Sequence, residues 1–129
     1  MAVKERKYYE SKLESLIAER AVVLCLARDF HEQAQFVGYL NVVNDAGEDV
    51  FYITLKNDHG EIGNVTTKSK SVISQINEIM DVMDGEDRTS FTIGFQEKQT
   101  KKGNTCIVVT MGLGYADRHL EAEGSDSED

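Results

Sequence analysis

The 129-residue chain contains no proline and no tryptophan, absences for which the sequence supplies no physical reason. Its other scarcities say more. There are only two cysteines, Cys25 and Cys106, each inside an apolar run (VVLCLA and TCIVVT). They read as small buried hydrophobes rather than as a disulfide framework or a metal site. That usage favours a reducing, cytoplasmic setting. No apolar run approaches the ~20 residues needed to cross a bilayer, so no membrane partner is expected. The start, MAVKERKYYESKLE, lacks the apolar stretch of a secretory signal. Glycine-rich phosphate loops of Walker or dinucleotide type are also missing, because GNVTTKSKS at 63–71 has the spacing of neither.

Positive charge is in deficit, with 14 Lys and Arg against 23 Asp and Glu for a net charge of −9. The deficit is uneven. From Asp117 onward six acids face Arg118 alone, which places −5 in the last 13 residues and −4 in the rest. The end, EAEGSDSED, has nothing with which to build a core. The expected organisation is one α+β domain over 1–116 and a disordered acidic tail over 117–129. Such a tail aids solubility, docks on a basic partner or competes with nucleic acid for a basic groove.

Apolar residues make up 40 % of the chain, enough for a single core. Within 4–20, Tyr9, Leu13, Leu16 and Ile17 fall on one face and predict an amphipathic helix. The run AVVLCLARDF fits either a continuation of that helix to about residue 28 or a buried strand; with no glycine, asparagine or proline to interrupt it, helix is the reading taken. QFVGYLNVV and VFYITL flank NDAGED as a hairpin, with Phe36, Leu40 and Val42 on one face of the first strand and Val37, Tyr39 and Val43 on the other. A short strand is expected around 62–65. KSVISQINEIMDVMDGED repeats apolar residues at three- and four-residue steps, with Ser69 or Thr67 as cap and Gly85 as terminator. SFTIGFQE and NTCIVVTM flank KQTKKG as a second hairpin whose Thr92, Gly94 and Gln96 face water. The predicted fold is an antiparallel sheet of four to five strands packed on an N-terminal and a middle helix. A small five-stranded barrel of the oligonucleotide-binding type is the alternative.

Catalytic constellations are lacking. His31, His59 and His119 form no metal pair and no nucleophile–base pair with either cysteine. Asp81, Asp84, Glu86 and Asp87 lack the ligand alternation of a calcium loop. Neither enzymatic activity nor a cofactor nor a metal is expected.

Two basic spots remain. Lys68 and Lys70 stand at the start of the middle helix, where the macrodipole disfavours cations. Thr66, Thr67 and Ser69 add hydroxyls beside free helix amides, which together hold a phosphate or carboxylate. Lys98, Lys101 and Lys102 crowd the tip of the second hairpin. With Lys56, and with Tyr39, Tyr52 and Phe95 as stacking rings, these residues outline a non-catalytic site for single-stranded DNA or RNA. The alternative is an acidic adaptor or inhibitor that docks on a basic, nucleic-acid-binding protein through Asp84, Glu86, Asp87 and the tail. Either function is compatible with a homo-oligomer formed through the N-terminal helix or an open sheet edge.

Overall fold

The chain begins as a strand where apolar spacing predicts a helix. In the computed structural model, which describes residues 2–115, β1 spans Ala2–Lys7 and α1 only Lys12–Glu19. Tyr8 separates them at φ +73°, a conformation costly for a bulky side chain. Ser11 then caps α1 by accepting from the Glu14 amide at 3.0 Å, while the Glu14 carboxylate accepts from the Glu10 amide at 2.9 Å. That reciprocal cap was written in SKLE, and it starts the helix late.

The ambiguous run resolves as a strand, β2 (Val22–Leu26), followed by a 3-10 turn at Ala27–Asp29. The expected helix to residue 28 is therefore corrected: β-branched Val22 and Val23 follow a C-cap at Arg20, and the pairing with a later strand holds them extended. β3 (Gln35–Val43), β4 (Asp49–Lys56) and β5 (Ile62–Thr67) follow as a meander. α2 (Lys70–Val82) starts at the Ser69 cap, and Gly85 takes φ +84° beyond its end. A 3-10 turn at Arg88–Ser90 leads into the ribbon β6 (Phe91–Gln99) and β7 (Thr105–Leu113).

Five strands form one sheet in the order β1-β3-β4-β5-β2, and β6 and β7 form a second. The fold is α+β, as predicted, but the larger sheet is mixed because β2 runs parallel to β5. It stays open, with β1 and β2 as its edges, so it is not the closed barrel held as an alternative. The segment from Asp117 onward, and the expected tail with it, lies outside the described residues.

One face of the large sheet meets α2 and the ribbon. Phe36, Tyr39, Phe51, Ile53, Leu55 and Val65 pack there with Val72, Ile73, Ile76, Phe91, Ile93 and Phe95. A register shift between Phe36 and Gly38 puts Phe36 with Tyr39 rather than with Leu40, so the strict alternation expected for β3 fails at the bulge. The ribbon's wet face holds at Gln96, which is exposed, and is corrected at Thr92 and Gly94. Thr92 is fully buried, and the Gln33 side chain lies over Gly94, leaving no room for a side chain there. Gln33 accepts from the Thr92 hydroxyl and donates to that of Thr110, so the chain after the Ala27–Asp29 turn covers the strand.

α1 lies on the opposite face, reversed from its predicted orientation. Its buried residues are Ser15 and Ala18, while Leu13, Leu16 and Ile17 point outward. Small residues allow the helix to sit close on the sheet, and a buried polar chain fixes it. The Asn64 amide donates to the Ala18 carbonyl at 2.8 Å, and its carbonyl accepts from Thr54, which pairs with the Tyr9 hydroxyl.

Candidate nucleic-acid interface

Three hairpin turns share one backbone design. Asn44–Glu48 (NDAGE), Asn57–Glu61 (NDHGE) and Thr100–Asn104 (TKKGN) each close with the first amide donating to the fifth carbonyl, at 3.0, 2.9 and 2.7 Å. Each places glycine fourth with φ near +80°, and each uses the first side chain as an acceptor for the fifth amide. Two of the three carry Asp and then Ala or His at the central positions; the third carries Lys101 and Lys102. The shared geometry is satisfied by Asp45 and Asp58, so it does not require lysine at the ribbon tip.

The ribbon and α2 run alongside each other. Phe91 lies beside Met80 and Met83 near the end of α2. Farther along, Ile107 lies beside Thr67 and Lys68 at the start of α2. Gln75 ties the two together, donating to the Ile107 carbonyl at 3.0 Å and accepting from the Val109 amide at 2.9 Å. The ribbon's distal half, Gln96–Gln99 with Thr105 and Cys106, is exposed and extends past the start of α2. The ribbon tip with Lys98, Lys101 and Lys102 therefore points toward the end of the molecule where α2 starts with Lys68 and Lys70. Lys70, Lys98, Lys101 and Lys102 make no ion pair among the described residues.

Between α2's start and the ribbon lies an open groove of about 340 Å³. Leu26, Ala27, Val50 and Ile107 supply apolar walls, Thr66 and Thr67 polar ones, and Arg28 and Lys68 cations. Arg28, Leu26 and Ile107 were missed from sequence. They come from segments far apart in the chain, and no local signal joins them.

Several expected site residues lie elsewhere. Tyr39 and Phe95 are 2 % and 7 % exposed and cannot serve as stacking platforms. The Tyr39 hydroxyl donates to Asn77, and Phe95 packs edge-on to Phe30. Burial raises the Tyr39 pKa above its usual value. Tyr52 is half-buried on the α1 side of β4, opposite Leu40. Lys56 is at the other end of β4, in a pocket with Glu10, Asp87 and Arg88. Seven residues of strand separate it from Asp49, roughly 23 Å, so it does not join the cluster.

The helix start is also partly occupied from within. Ser69 accepts from the Val72 amide at 3.3 Å, and Thr67 accepts from the Ser69 amide at 3.0 Å. Lys68 contacts Glu48 at 3.3 Å with both side chains more than half exposed. Hydrogen bonding from Asn44, then from Lys68, lowers the Glu48 pKa. Such an exposed pair is weak and exchangeable.

The cysteines differ from the sequence expectation. Cys106 is exposed on the ribbon and Cys25 is only half-buried. Burial, with Asp29 and Glu32 nearby, raises the Cys25 pKa and keeps it a thiol. No described helix is long and apolar enough to cross a membrane. No protein-family model, curated protein or solved structure matches the chain.

Proposed function

We propose that this protein is a non-catalytic binder of single-stranded nucleic acid, gripping phosphates with Lys68, Lys70, Lys98, Lys101 and Lys102 and admitting bases to the groove walled by Leu26, Val50 and Ile107. One observation carries the reading. A turn design used three times in the chain is acidic twice and basic once, and the basic copy stands at the same end as α2's cationic start. Where geometry does not demand lysine, two adjacent lysines serve contacts beyond the turn. The net charge of −9 opposes polyanion binding overall, so these contacts must be local and strongly screened by salt.

The groove takes over the role first given to the tyrosines. An apolar slot with Arg28 and Lys68 at its margin offers contact to base faces and charge to the backbone. The exposed acids Asp84 and Glu86 remain available to a basic protein, the competing adaptor reading.

The test is fluorescence anisotropy of a labelled oligothymidylate titrated with the full chain over a range of salt. Binding is expected to weaken by about 0.7 log units per phosphate contact for each tenfold rise in salt. Changing Lys101→Asp together with Lys102→Ala reproduces the central residues of the Asn44–Glu48 turn and should keep the fold. It should abolish most binding and flatten the salt slope. Salt-independent binding, or wild-type affinity in that variant, removes the nucleic-acid reading.

A further inference from the structure

A large apolar surface along α1 and the β2 edge remains unexplained by the groove and the ribbon's lysines. Ten large apolar residues are substantially exposed among the described residues, and seven fall within 13–26: Leu13, Leu16 and Ile17 on α1, and Val22, Val23, Leu24 and Leu26 on β2. Only Arg20 and Ala21 separate the two elements. The seven side chains flank the β2 edge on both faces, with Leu13, Leu16 and Ile17 outward on α1, Val22 and Leu24 beside Phe30, Ala34 and Leu55 on the ribbon side, and Leu26 at the groove. Together they present on the order of 600 Å² of apolar surface. It approaches the ~800 Å² that each partner contributes to a standard interface.

Two features make this surface a docking face rather than scattered exposure. α1 has turned its leucine and isoleucine stripe away from the sheet it packs on, leaving an amphipathic helix with its apolar side unpartnered. β2 is an edge strand without a single charge, its outer edge unpaired among the described residues. Soluble proteins blunt such edges with charge, proline or bulges. Here only a register shift between Val23 and Cys25 interrupts the strand.

We infer that the occupant of this face is a second copy of the chain, related by a two-fold axis that sets β2 antiparallel to its counterpart. The charges around the patch fit that symmetry. Arg20 precedes β2 and Asp29 follows it; both are exposed and neither makes an ion pair among the described residues. An axis between Leu24 and Cys25 brings Arg20 at the entrance of β2 in each copy to the same end of the seam as Asp29 beyond the exit of the other, two equivalent pairs from one contact type, as an isologous interface requires. The uncharged VVLCL segment lies at the centre, so the net charge of −9 puts no like charges in the seam. The inference does not rest on the ribbon's lysines, and it shares Leu26 with the groove beside them.

Sedimentation equilibrium of the purified full chain, from low to high micromolar, provides the test. A reversible dimer is expected. Leu24→Asp should leave the secondary-structure signal intact and shift the species to monomer. Arg20→Asp alone and Asp29→Arg alone should each weaken the dimer at least about tenfold. The double exchange should restore it, because each pair is then re-formed with reversed polarity; mere loss of stability would not be restored. A wild-type monomer at every concentration overturns the inference, as does a dimer indifferent to Leu24→Asp or a double variant no tighter than the singles. Capture of a different protein on this face by a chain that stays monomeric also overturns it. Should Leu24→Asp fail to fold, the two exposed charge variants and their combination decide the question.

Discussion

β1 and β2 are the two edges of one five-stranded sheet, and they are finished in opposite ways. β1 (AVKERK) bristles with charge. Lys4 meets Asp49 at 3.5 Å, Arg6 meets Glu19 at 2.9 Å, and Lys7 lies over the Tyr8 ring. β1 is also locked at its end by two tyrosines that straddle the sheet. The Tyr8 hydroxyl donates to Asn77 of α2 on one face, and the Tyr9 hydroxyl pairs with Thr54 on the other. β2 (VVLCL) has no charge and, among the described residues, no side-chain clamp; parallel pairing with β5 holds it, and the Asn64–Ala18 bond ties the preceding α1 to β5. The contrast teaches that one edge has been made unsuitable for pairing while the other has been left available. Edge charges and clamps are the usual protection against association, so their absence on one edge only marks a surface.

The contrast can be broken at several points. The largest effect is expected at Asn64, whose amide is fully buried beneath the β2 side. Asn64→Ala leaves the Ala18 carbonyl without its donor and the Thr54 hydroxyl with Tyr9 alone, and should cost about 2–4 kcal/mol in urea unfolding. Tyr8→Ala strips the β1 clamp and its edge-on contacts with Phe36 and Tyr39. Half-burial limits that loss to about 2 kcal/mol, read as a lower denaturation midpoint.

Tyr9 gives the same edge a pH signature. Burial raises its pKa to about 12 from 10.0, against the lowering effect of the Thr54 bond. A phenol harder to ionise when folded contributes stability below pH 10 that is lost as pH rises from there through 12. Tyr9→Phe should therefore soften the alkaline fall in melting temperature relative to wild type. On the β2 edge, by contrast, Leu24→Ser should change the stability of the dilute chain by less than about 1 kcal/mol, because the side chain is half exposed. Least of all, Glu48→Gln should raise oligothymidylate affinity by less than about fivefold by freeing Lys68 from an exposed pair.

How much of this was legible depended on how local the cause was. The β3–β4 hairpin, α2 with its Ser69 cap, and the ribbon were readable because their determinants are neighbours in sequence. The start of α1 was read from the Tyr9–Leu13–Leu16–Ile17 spacing alone, without the Ser11 cap that sets it. That spacing was real, and its direction was misassigned. Periodicity reports that a helix has an apolar side; it does not report whether the host sheet or another surface receives it. The lysines were readable as clusters. The groove between them was not, since Arg28, Val50, Thr67 and Ile107 meet only through long-range packing. Tyr39 misled for a related reason: a bulge at Phe36–Gly38 changes which β3 side chains point inward, while Tyr52 on the regular β4 faces α1.

The amino-acid order alone settled the turns, the α2 helix and where cations concentrate, because those follow from contacts spanning four or five residues. Tertiary structure decided which strands became edges, which way α1 faced, and that Tyr39 and Phe95 belong to the interior. Those outcomes depend on burial against partners dozens of residues away, and burial energy responds to the whole packed arrangement rather than to any short run of sequence.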